Sequence, residues 1–117
     1  MITPEAKRLI ENNPVAISTC IFDNPNISVA AYLKVVDNQI VITDNYMAKT
    51  IRNLGKNKKI ELAVWGDDWV GYKISGTASY ETEGKWFNIV KSQVENLGLP
   101  AKGAIVVTID SIKRIGD

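Results

Sequence analysis

Six runs of apolar and β-branched residues, each ended by a turn signal, constrain this chain more than any other feature. They fall at residues 15–22, 27–36, 39–43, 60–65, 69–81 and 104–109, and runs of this kind read as strands. Asp23-Asn24-Pro25-Asn26 and Asp37-Asn38 join the first three, which predicts an antiparallel meander. In the fifth run, Gly71 and Gly76 mark bulges or close backbone approaches. An open sheet of this size would leave two unpaired edges, and closure into a barrel removes them. A chain of 117 residues has room for one core. Residues 1–117 are therefore expected to form a single mainly-β domain, a six-stranded antiparallel barrel with flanking helices.

Three helices separate the strands. Thr3 can cap the first, Pro4 suits its first position, Glu5 complements its positive end, and Asn12-Asn13-Pro14 stops it. A short helix is predicted over 47–54, with Gly55 ending it in the left-handed conformation. A third covers 83–97, with Trp86, Phe87, Val90, Val94 and Leu97 on one stripe, and Gly98 closes it.

Composition excludes several kinds of chemistry. The 14 basic and 13 acidic residues leave a net charge of +1, which offers no basic groove for nucleic acid and no reason for a membrane-surface role. The chain has no histidine, so Ser-His-Asp and Cys-His catalysis are absent and no metal site is assigned. Neither common glycine-rich nucleotide loop is present. Cys20 has no partner for a disulfide and reads as a small core residue. Met1–Lys7 lacks the apolar core of a signal peptide and no run reaches the length of a membrane span, so a cytoplasmic protein is expected. Demanding chemistry on such a chain would fall to a cofactor.

The segment 42–54 is the most informative for chemistry. A strand ends, Asp44-Asn45-Tyr46 turns, and a helix begins with Lys49 and Thr50 in its early turns. Free N–H groups and the positive end of the helix dipole attract anions there. Lys49 adds a charge, Thr50 a hydroxyl, and Arg52 a guanidinium fork, which together suit a phosphate. By themselves, Lys and Arg on a short helix are usually just solvated. The preceding strand supplies context: Ser28, Val29, Ala30 and Ala31 are small enough to let a flat ring approach the backbone, or simply to fit a narrow barrel.

Tyr32-Leu33-Lys34-Val35, then Met47-x-Lys49-Thr50-x-x-Asn53-Leu54, then Gly71-Tyr72-x-Ile74-x-Gly76-x-Ala78 resemble the pyridoxamine 5'-phosphate oxidase-like flavoproteins, within them the small bacterial FMN-binding proteins. The likeness runs in order from about residue 15 to residue 112. It implies an FMN-binding split barrel that forms a homodimer, with FMN at the subunit interface. On this resemblance Lys49 and Thr50 match the phosphate-binding pair. Thr43, Asp44, Asn45 and Met47 match the loop around the phosphate and ribityl chain, and Ser28, Val29, Ala30 and Ala31 match the strand along the isoalloxazine ring.

The chain also departs from the family pattern. Close relatives carry an aromatic residue near Val29 and a tryptophan near Pro100. Here Leu97-Gly98-Leu99-Pro100-Ala101-Lys102 leaves the flavin either more open or covered by Leu99 and Pro100. Lack of histidine and the short chain argue against vitamin B6 oxidation. The expected role is an FMN-binding flavoprotein in redox or electron transfer, either an electron carrier or a flavin-dependent oxidoreductase. No side chain stands out as an acid or base, so no catalytic residue is assigned. The alternatives are the same fold holding a deazaflavin or haem, or a non-redox barrel binding an oligonucleotide through Trp65 and Trp69. Trp86 and Tyr32 read as packing residues.

Overall fold

In a computed structural model, which describes residues 2–93 and 97–115, the elements run as follows. Helix α1 (Pro4–Asn12) leads into β1 (Val15–Ile21), β2 (Asn24–Ala30), β3 (Leu33–Val36) and β4 (Gln39–Asp44). Helix α2 (Ala48–Lys56) is followed by β5 (Lys59–Trp65) and β6 (Gly71–Glu81), and α3 (Gly84–Ser92) precedes β7 (Gly103–Arg114).

The strands form one antiparallel sheet of seven, ordered β2-β1-β5-β6-β7-β4-β3. Only Ala31 and Tyr32 separate β2 from β3, which occupy opposite edges. In a flat sheet those edges would lie about 29 Å apart, six strand spacings. Three Cα steps reach at most about 11 Å. The sheet is therefore curled into a half-barrel whose edges approach at Ala31-Tyr32.

This break corrects the expected strand over 27–36, and six strands become seven. It also undoes the three-strand meander, since β2 pairs with β1 and β3 with β4. The first hairpin turns at Phe22-Asp23 rather than at Asp23–Asn26, so Asn24, Pro25 and Asn26 lie within β2, opposite Ile21, Cys20 and Thr19. Asp37 and Asn38 form the expected tight turn, both at positive φ (51° and 62°).

Strand alternation sorts the core. Ile17, Ile40, Ile42, Leu62, Ile74 and Ile105 pack inside the curl. Val41, Ala104 and Val106 face the other way, onto Val90 of α3, with Trp86 and Phe87 packed against them. Gly76 sits where β6 and β7 shift register, and a Cβ there would lie 2.6 Å from the Thr108 carbonyl oxygen, so the bulge and the close approach expected of it coincide.

Other boundaries differ in instructive ways. Helix α2 passes through Gly55 to Lys56, because the Asn57 N–H closes onto the Asn53 carbonyl and no left-handed stop is needed. Helix α3 ends at Ser92, short of the predicted 97; Val94 lies outside the described residues, and Leu97 is exposed. Strand β6 starts at Gly71, because Trp69 sits at φ +62° in the preceding turn. Cys20 is half-buried rather than core: its thiol lies 3.0 Å from the Phe22 carbonyl on the hairpin. Among the described residues no helix is long and apolar enough to cross a membrane.

Candidate functional site

A cavity of about 210 Å³ opens beside the Ala31-Tyr32 corner. One wall is the end of β2 and the corner itself: Val29, Ala30, Ala31 and Tyr32. The other is the end of β4 and the turn into α2: Thr43, Asn45, Tyr46 and Met47, with Leu99 across from them. The curl brings these segments together, since it carries the chain from one sheet edge to the other at this corner.

Six of the predicted site residues line this cavity, namely Val29, Ala30, Ala31, Thr43, Asn45 and Met47. Ser28 and Thr50 lie beside it and bind each other: alternation turns Ser28 away from Val29, and its hydroxyl is 2.9 Å from that of Thr50. Asn26 Nδ2 approaches the same hydroxyl at 3.4 Å, and Thr50 is buried. Lys49 is exposed in the first turn of α2, and among the described residues it forms no ion pair. Arg52 is exposed further along the helix and does not line the cavity.

Asp44 is placed differently from the rest. It is 2% exposed, and its carboxylate is spent on the protein. Oδ1 accepts the Met47 N–H at 3.1 Å and Oδ2 accepts the Tyr80 hydroxyl at 2.6 Å. Burial first, and then the hydrogen bond and charge of Asp44, push the Tyr80 phenol well above its ordinary range. Asn45 Oδ1 accepts the Ala101 N–H at 2.7 Å, which ties the turn to the loop carrying Leu99.

Helix α2 starts without a cap. Its N-cap residue is Met47, whose own N–H is held by Asp44; among the described residues no side chain bonds the amides that follow, and the first turn has no acidic residue. Orphan N–H groups, the helix dipole and Lys49 make this start attractive to an anion. Small residues along β2 lead toward it from the cavity. The arrangement can hold a planar ring against β2 while its phosphate meets the start of α2.

Sequence reasoning did not place Tyr32, Tyr46 or Tyr80 at this site. Tyr32, which the sequence marks as a packing residue, is 41% exposed and lines the cavity. The one signal for it was the length of the run 27–36, which is long enough to hide a break. Of the two covers considered for the flavin, Leu99 does line the cavity. Trp65 and Trp69 stack on each other away from it, with centroids 6.4 Å apart and planes 4° from parallel.

A curled antiparallel half-barrel, with a cavity between the end of β2 and the turn from β4 into α2, defines a split-barrel protein. Residues 2–115 match the family described as pyridoxamine 5'-phosphate oxidase, and the chain belongs to it. An uncharacterized protein of Methanocaldococcus jannaschii is 33% identical over 120 residues, covering 97% of this chain and 80% of the relative. Among solved structures, Group A Streptococcus HupZ superposes with a TM-score of 0.87 at 28% identity, over 98% of this chain and 94% of that one. An FMN-binding protein from Syntrophomonas wolfei gives 0.82 at 22%, over 96% and 84%.

Proposed function

We propose that this protein binds FMN and acts in redox chemistry, as an electron carrier or a flavin-dependent oxidoreductase, and that it works as a homodimer. The observation that carries this reading is the continuity of the cavity with the uncapped start of α2. Val29, Ala30 and Ala31 leave room for a ring and offer backbone groups to its polar edge. Lys49 and the α2 amides hold the phosphate, with the hydrogen-bonded Ser28–Thr50 hydroxyl pair beside them able to donate its one remaining proton. Thr43, Asn45 and Met47 flank the ribityl chain, and Leu99 limits access of water. FMN, when bound, supplies the electron transfer itself. The fold shared with a protein that binds FMN agrees with this reading.

The second copy is motivated by what the cavity lacks. At about 210 Å³ it falls below the roughly 300–1,000 Å³ of a typical ligand pocket. Its wall residue Val29 is 64% exposed on an outer sheet face that continues through Ile27, Ala16 and Ala63. Apolar residues on such a face invite a partner surface. Cytoplasmic residence is the setting we assign to this chemistry.

Size-exclusion chromatography with detection at flavin wavelengths, after adding FMN, tests both parts. Two visible flavin bands eluting with protein at twice the chain mass are expected. Protein that emerges without flavin from excess FMN would reject the cofactor, and flavin on a monomer would reject the dimer.

A further inference from the structure

We propose that Tyr80 is a positioning residue for the cofactor's phosphate, acting through Asp44 on the turn that opens α2. This rests on the FMN reading above. Asp44 ends β4, and its acceptors hold three other parts of the chain: Met47 N–H on Oδ1, Tyr80 O–H on Oδ2, and Lys102 N–H on its carbonyl at 2.8 Å. Met47 is the residue from which α2 departs. The direction of the Asp44 carboxylate therefore sets where the first amides of α2, and Lys49 after them, are aimed.

A carboxylate this buried needs a donor on each oxygen. Without the Tyr80 hydroxyl, Oδ2 would lose its donor among the described residues and would turn toward water, taking the Met47 bond with it. The fold makes deliberate room for this donor. A Cβ on Gly103 would lie 2.5 Å from Cζ and the hydroxyl of Tyr80, so the phenol fills the space of a missing side chain. Asp44 and Gly103 are also paired in the β4–β7 ladder. Burial and the neighbouring Asp44 push the phenol's ionisation above its ordinary range, which favours its role as a donor to Asp44. The same turn binds Ala101, buried at φ +44°, through Asn45. One hydroxyl thus steadies both the phosphate end of the site and the loop that carries Leu99.

Tyr80→Phe keeps the ring against Gly103 and removes only the hydroxyl. FMN and riboflavin dissociation constants, by fluorescence titration, are compared with the native protein, and amide exchange at Met47 and Lys102 is followed without flavin. FMN affinity should fall about five- to tenfold while riboflavin changes less than about twofold, as loss of a charge-assisted bond acting on the phosphate end alone requires. Exchange at Met47 and Lys102 should quicken by about tenfold. Equal weakening of both flavins, or unchanged FMN affinity, would overturn the proposal. Native protein that binds neither flavin would refute the cofactor reading instead, and unchanged exchange in the variant would then overturn the Tyr80 link separately. Should Tyr80→Phe fail to fold, Asp44→Asn, which cannot accept on both positions, is held to the same outcomes.

Discussion

The starts of α1 and α2 contrast sharply. At α1, Thr3 Oγ1 accepts the Ala6 N–H at 3.2 Å, Pro4 has no N–H to satisfy, and Glu5 meets the positive end of the dipole. At α2 a methionine stands in the cap position with its own N–H held by Asp44, among the described residues no side chain bonds the amides that follow, and Lys49 stands in the first turn. Both helices are nine residues long and both pack on the sheet, so length and burial do not explain the difference. One start is completed by its own side chains; on the reading proposed above, the other, which lies beside the cavity, is completed by the phosphate.

Charge reversal is the harshest way to break the contrast. Lys49→Glu gives α2 the acidic first turn that α1 has, and should weaken FMN about 100-fold, or roughly 2.7 kcal/mol. Riboflavin, lacking the phosphate, should bind as before; calorimetric titration of both reads the result. Lys49→Ala removes the charge without reversing it and should weaken FMN about tenfold, with an unchanged melting curve because Lys49 is exposed. Thr3→Ala opens the other helix and should do the opposite: about 1 kcal/mol of stability lost in urea unfolding, with FMN affinity untouched. A change in FMN affinity from Thr3→Ala would show that the two starts are not independent.

The smallest effect concerns what holds the α2 turn in place. In the unfolded chain the Tyr80 phenol ionises near pH 10, whereas the folded chain keeps the proton to higher pH. Its contribution is therefore complete below about pH 10 and is lost as the pH rises through the folded value. Native protein should lose stability faster than Tyr80→Phe between about pH 9 and 11 in parallel denaturant melts. Equal slopes would remove Tyr80 from the account.

The contrast between the two helix starts was partly legible in the sequence. Thr3-Pro4-Glu5 announces a capped start from adjacent residues, and Lys49-Thr50 after a strand and a polar turn marks a start suited to an anion. The small side chains from Ser28 to Ala31 likewise marked the wall of the cavity. Long-range geometry was not legible. That Ala31-Tyr32 breaks a strand depends on where the two sheet edges end up, since alternation continues across it. The part Asp44 plays in holding the turn was not legible, because its partner Tyr80 lies 36 residues away and nothing local shows that its carboxylate bonds it. The Phe22-Asp23 turn was misplaced because Asn24-Pro25-Asn26 has turn composition, and only pairing with β1 holds it extended.

The central claim is that the open start of α2 recognises the phosphate of a flavin mononucleotide. Equilibrium titration of the native protein with FMN and with riboflavin, under identical buffer and salt, tests it most directly. FMN should bind at least about 100-fold more tightly, the contribution of roughly two charge-assisted hydrogen bonds. Equal affinity for the two flavins would contradict it.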